Sequence, residues 1–168
     1  MIVAPREFRD EKFEEPKTIL EREGIKVVVA STASGTARGM FGMQITPDIT
    51  IEEVNPAEFD AVLIVGGLGS QTYLWDNSGV QRIVRYLNQR ERLVGAICIF
   101  PVVLAKAGLL KGKKATVFRT AATINELEKG GAIISHDPVV VDGKIVTGRG
   151  PEAAREFGQK IAENLSQP

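Results

Sequence analysis

Short runs of aliphatic and β-branched residues alternate along the chain with stretches whose apolar positions recur every three or four residues, the pattern of a sheet covered by helices on both faces. The class this predicts is α/β. Ile25 to Ser31 (IKVVVAS), Asp60 to Val65 (DAVLIV) and Leu93 to Ile97 (LVGAI) are apolar throughout and read as buried strands. Met1 to Ala4 reads as a short first strand, and Asp10 to Glu23 as a helix with Phe13, Ile19 and Leu20 inward, stopped by Gly24.

Gly35 to Val54 carries Gly35, Gly39, Gly42 and Pro47 among apolar residues, which predicts a hairpin or edge excursion. A helix is expected from about Tyr73 to Gln89, and helical spacing returns in the run from Phe100 to Leu110 until Gly108 loosens it. Short strands are expected at Ala115 to Phe118 and Ala132 to Ser135, separated by a helix around Thr123 to Lys129. Pro138 to Thr147 (PVVVDGKIVT) is a hairpin signal with Asp142-Gly143 at its tip, and Pro151 opens a last helix to about Leu165. With no repeat, linker or low-complexity tract, residues 1–168 read as one domain.

The 168 residues are 43% hydrophobic, enough for one buried core. Lys plus Arg and Asp plus Glu each number 21, so no positive field attracts nucleic acid or acidic membranes, and self-association is left open. One cysteine and one histidine exclude an intrachain disulfide and a structural zinc cluster, which fits a reducing, cytoplasmic compartment. No apolar run approaches the roughly 18–20 residues that span a bilayer. Neither metal nor cofactor is expected. The sequence Gly67-Leu68-Gly69-Ser70-Gln71-Thr72 lacks the third glycine of a dinucleotide fingerprint and does not follow the first strand.

The chemistry points to Cys98. In LVGAICIFPVVLAKAGLL a buried strand ends, one cysteine follows and a helix begins, the context of a nucleophile elbow. The start of that helix would favour thiolate over thiol. Ala96 is small, as an elbow needs, whereas Phe100 is large. A cysteine there also reads as a small hydrophobe filling a strand end. Gly66-Gly67 ends a second strand, and its backbone N–H together with that of Ile99 would form an oxyanion hole over Cys98.

Ala96-Ile97-Cys98, then Pro101, then Ala107-Gly108-Leu109-Leu110-Lys111-Gly112-Lys113 is similar to the A-I-C-H-G-P…AG-L-x-G-K stretch of ThiJ/PfpI proteins. Phe59-Asp60-Ala61 to Gly66-Gly67, Gly24-Ile25-Lys26-Val27 to Ala30-Ser31, and Val141-Asp142-Gly143 to Arg149-Gly150-Pro151 extend the resemblance in family order over nearly the whole chain. It implies a flavodoxin-like three-layer α/β/α sandwich of the class I glutamine-amidotransferase-like type, with a mostly parallel central sheet, assembled as a homodimer or higher homo-oligomer.

Carried over by position, the resemblance makes Cys98 the nucleophile and the amides of Gly67 and Ile99 the oxyanion hole. Ile99 stands where protease-like and many glyoxalase-like members have histidine, and Phe118 where a second family histidine falls. His136, in Ser135-His136-Asp137-Pro138, reads as part of a surface turn. The family also places a glutamate of the first helix beside the sulfur. Counting back from Pro16 puts Lys12 there, while a shift of one residue brings Glu11, the acid favoured on this reading. Lys12 in that place would itself favour thiolate. Arg9-Asp10-Glu11-Lys12 also reads as a plain solvated helix start. Tyr73, Phe100, Lys12 and Phe118 complete the candidate pocket. The family's first strand is longer than Met1 to Ala4, so either the strand is truncated or Met1 is an internal start.

Three activities follow as expectations. Cys98 could add to a small reactive carbonyl substrate in glyoxalase- or deglycase-like fashion, with Glu11 as base. It could be the oxidisable thiol of a redox-sensing stress protein, which needs no histidine. Intracellular peptidase activity is the least expected, since the Cys-His pair is absent.

Overall fold

The computed structural model describes residues 1–167, Pro168 lying outside it. In chain order, β1 (Arg6–Phe8) leads into α1 (Asp10–Arg22), and β2 (Ala30–Ser31) is followed by β3 (Ala37–Gly39), β4 (Gln44–Ile45) and β5 (Ile49–Thr50). β6 (Ala61–Ile64) precedes α2 (Gly69–Tyr73) and α3 (Ser78–Gln89), and β7 (Leu93–Ile97) precedes α4 (Pro101–Lys106). β8 (Lys114–Ala115) and β9 (Ile133–Ile134) flank α5 (Ala121–Lys129). β10 (Val139–Asp142) and β11 (Ile145–Gly148) form the expected hairpin, and α6 (Ala154–Ser166) follows.

β7 lies between β6 and β11, parallel to both, and β10 adds antiparallel to β11. On the other side Ile2 makes parallel bridges to Ile64 and to Ala30, donating from its N–H to Leu63 O at 2.7 Å. β2 then pairs in parallel with β5. The central sheet is therefore mostly parallel and covered on both faces, a flavodoxin-like α/β/α sandwich. No helix among the described residues is long and apolar enough to cross a membrane.

Alternation along β7 builds both cores. Val94 and Ala96 pack with Ile83, Val84 and Leu104, under α3 and α4. Leu93 and Ile97 point the other way, toward Phe157 and Ile161 of α6. A Cβ on Gly95 would stand 2.9 Å from Ile161 Cδ1, so glycine lets α6 lie close on the strand. α6 packs in turn on α1, where a Cβ on Gly158 would stand 2.8 Å from Pro16 Cα.

Four expectations change. The first strand expected over Met1 to Ala4 is reduced to bridges at Ile2, and of Ala115 to Phe118 only Ala115 joins a strand. The helix anticipated from Tyr73 to Gln89 is two helices, because Leu74 and Trp75 turn into the core and Asn77 starts α3 afresh, its side chain accepting from Val80 N at 3.0 Å. In the run from Ile25 to Ser31 only Ala30 and Ser31 form a strand. Val28 O accepts from Met1 N at 2.6 Å, but the earlier residues border a groove of about 540 Å³ lined by Met1, Val27, Phe59, Ala61 and Leu165. The excursion at Gly35 to Val54 is a hairpin as expected, β3 pairing antiparallel with β4 and parallel with β1.

Helix propensity alone would make Gly158→Ala stabilising by up to about 1 kcal/mol. The contact with Pro16 backbone reverses the sign. A net loss of about 1–3 kcal/mol is expected in urea denaturation, the ordinary range for overpacking.

Candidate active site

Cys98 follows β7 directly, and its φ of +70° puts an L-residue in the left-handed region. Such strain costs on the order of 1–3 kcal/mol and persists only where neighbours impose it. Here the Cys98 N–H donates to Gly148 O at 2.8 Å, and its carbonyl accepts from Phe118 N at 2.8 Å. The side chain is 7% exposed. A Cβ on Gly66 would lie 2.5 Å from Cys98 Cβ and 2.7 Å from Ile97 O, so glycine is required where the two strand ends meet.

Gly67, at φ +151°, faces the opposite way. Its Cβ would stand 2.3 Å from Glu7 O and 2.6 Å from Arg9 N. The Arg9 N–H donates to Gly66 O at 2.8 Å, which ties the start of α1 to the turn beside the cysteine. Ser70 Oγ donates to Gly67 O, and Trp75 Nε1 donates to Ile99 O at 3.2 Å. The two carbonyls are thus anchored, while the N–H groups of Gly67 and Ile99 donate to no acceptor among the described residues. Unbonded amides are free to donate to a negatively charged oxygen.

The start of α1 decides which charge meets the sulfur. Glu11, the acid favoured from the sequence, turns outward. Its side chain is 41% exposed and takes both a 2.9 Å bond from Arg9 Nε and a 3.2 Å bond from an Arg9 guanidinium nitrogen. That bonding holds its pKa below the usual carboxylate range. Lys12 turns inward and is only 2% exposed. Burial pushes its pKa below the ordinary lysine value, opposed by the Cys98 sulfur acting as charge and as hydrogen-bond acceptor. Successive helical residues point about 100° apart, so one position separates the solvent from the thiol.

Asp10, which precedes both, plays a part the sequence reading passed over. It accepts from Phe41 N at 3.2 Å and Met43 N at 2.9 Å, clamping the β3–β4 hairpin over the helix start. Arg9 lies 4.5 Å over the Phe41 ring, a cation–π contact that also holds the hairpin to the helix start. Its signal was the pairing of a first-turn acid with Gly39, where a Cβ would collide with the Asp10 carboxylate.

The remaining candidates divide. Phe118 stays at the rim, 44% exposed, its N–H on the cysteine carbonyl. Ile99 is half-buried between both cores. Phe100 is fully buried in the core under α3 and α4, so it lines no pocket. Tyr73 packs half-buried against the same core. His136 is exposed in its turn, its carbonyl accepting from Arg149 at 2.9 Å. α4 has six residues and starts at Pro101, so the lysine of α1, rather than a long helix end, supplies the positive charge at the sulfur.

The description "DJ-1/PfpI family" matches residues 1–164. An uncharacterised protein of Methanocaldococcus jannaschii is 46% identical over 167 residues, 99% of this chain and 82% of that protein. The protein dj-1beta of Drosophila melanogaster is 37% identical over 149 residues, 88% of this chain and 79% of that one. Among solved structures, a ThiJ/PfpI domain protein from Brachyspira murdochii superposes with a TM-score of 0.92 at 34% identity, covering 98% of this chain and 93% of that chain.

Two outcomes test this geometry. Gly66→Ala should lose about 1–3 kcal/mol by chemical denaturation, because the intruding methyl meets backbone rather than a movable side-chain end. Lys12→Met should raise thermal stability at pH 7, since a buried ammonium leaves the fold. With its folded pKa below its unfolded one, Lys12 binds fewer protons in the fold, so its penalty is full below the folded value and fades as pH rises toward about 10.4. In a Cys98→Ala background, the advantage of Lys12→Met should therefore shrink between pH 7 and pH 10 in melting experiments.

Proposed function

The chain belongs to the DJ-1/PfpI family, and from that premise we propose that Cys98 adds to small reactive carbonyl compounds, glyoxalase- or deglycase-like, with Lys12 moving the protons. The observation that carries this reading is the buried lysine at the sulfur, in a site where both family histidines are replaced. A lysine whose pKa is lowered exchanges its proton more readily than an ordinary lysine, which suits it to acid–base work. In this role it takes the place the sequence reading gave to Glu11.

With a 2-oxoaldehyde, the Cys98 thiolate forms an S–C bond to the aldehyde carbon and the π pair moves to oxygen, where the Gly67 and Ile99 amides receive it. The Lys12 ammonium gives that oxygen its proton and becomes a neutral amine. The amine then takes the hydrogen from the carbon now bonded to sulfur, leaving an enediolate. The ammonium returns that proton to the neighbouring carbon, and the hydroxyl proton passes from the first oxygen to the second. The product is a thioester of a 2-hydroxy acid. Water cleaves it, releasing the acid and restoring the thiol. A cysteine only 7% exposed suits molecules of a few atoms and is poorly matched to a peptide bond.

The same charge and free amides also favour a second reading, a redox-sensing stress protein in which Cys98 becomes sulfinate, since an anion on sulfur oxygens would meet the ammonium and two donors. The proposal extends to a cytoplasmic homodimer or higher homo-oligomer. Balanced charge and the exposed Phe41 and Leu68 support self-association.

Lactate formation from methylglyoxal tests the main reading. Wild type should turn over, Cys98→Ser should not, and Lys12→Met should fall by about 10²–10⁴-fold, the usual worth of a positioned acid–base group. Equal rates for all three would discard it.

A further inference from the structure

An amine held against a sulfur is also placed to attack that sulfur once it becomes electrophilic. Lys12 is almost wholly buried, makes no ion pair with a carboxylate among the described residues, and lies close enough to Cys98 for the two groups to interact. Glu11, the acid beside it, is engaged by Arg9. The geometry fixes both partners: the Arg9–Gly66 bond sets the helix start, and Gly66 touches Cys98.

We infer that Lys12 resolves oxidised Cys98 by forming a sulfenamide, a covalent link between α1 and the end of β7. The oxidant is a peroxide, small enough to reach the thiol. Thiolate attacks one peroxide oxygen, an S–O bond forms, the O–O bond breaks and hydroxide leaves, giving sulfenic acid. The neutral amine of Lys12 then forms an N–S bond as the S–O bond breaks. The departing hydroxide takes a proton from nitrogen and leaves as water. The two electrons that reduce the peroxide come from sulfur.

The link removes the nucleophile reversibly and diverts it from irreversible sulfinic acid. Two equivalents of thiol reductant restore thiol and amine and become a disulfide. The burial that lowers Lys12 enlarges its neutral fraction, with Arg9 opposing protonation and Glu11 and Cys98 favouring it. Nothing here depends on carbonyl turnover, although the same sulfur is used.

Intact-mass measurement after about one equivalent of hydrogen peroxide is the test. Wild type should lose about 2 Da, regain it with dithiothreitol, and yield a proteolytic cross-link joining the segments around residues 12 and 98. Lys12→Met should instead gain about 16 or 32 Da. A gain of about 16 or 32 Da by the wild-type protein with no loss of 2 Da overturns the inference, whatever the variant does. Loss of about 2 Da in a protein inert toward methylglyoxal would leave the inference standing and remove the carbonyl reading alone.

Discussion

Holding a cysteine in the left-handed region requires neighbours from several parts of the chain, and at Cys98 they are Gly148 at the end of β11, Phe118 beyond β8 and Gly66 after β6. Gly148 and Phe118 take the backbone hydrogen bonds, and Gly66 leaves the space into which the turn folds. The elbow is therefore a product of the parallel sheet. Gly148 and Gly66 reach the cysteine because β6, β7 and β11 run side by side in the same direction, and Phe118 comes in from beyond β8. The strain at one residue is held by the packing of the whole carboxyl edge.

The same turn positions the opposing charge. Gly67 leaves room for the backbone of residues 7–9, and the Arg9–Gly66 hydrogen bond sets where α1 begins. Asp10 fastens the hairpin above, Glu11 neutralises Arg9 at the surface, and Lys12 delivers an ammonium to the sulfur. Burying that ammonium opposes folding. Its retention beside the only thiol is what a functional role would require, because a methionine of similar length would fill the space without the desolvation cost.

Much of this was legible in the residues. Continuous apolar runs gave the buried strands, Asp142-Gly143 gave the hairpin tip, and a strand ending in Cys98 just ahead of Pro101 gave the elbow. What escaped is what depends on angle and on long-range partners. Glu11 and Lys12 are adjacent, and only the anchoring of Arg9 to Gly66 decides which of them faces inward. Leu74 and Trp75 fit a helical spacing, yet the core draws them in and ends α2. Ile25 to Val29 has the composition of a strand, but strand pairing also needs a neighbour, and within that run Met1 bonds Val28 alone, its carbonyl accepting from Ala30 N beyond it. Phe100, three residues before Val103, joins the core because α4 begins immediately after it.

The central claim is that the positive charge facing Cys98 is Lys12. Its most direct test compares alkylation of Cys98 by anionic iodoacetate and by neutral iodoacetamide at one fixed pH, in wild type and Lys12→Met. An ammonium facing the sulfur attracts the anionic reagent, so the ratio of iodoacetate to iodoacetamide rates should fall severalfold once the charge is removed. An unchanged ratio would contradict the account.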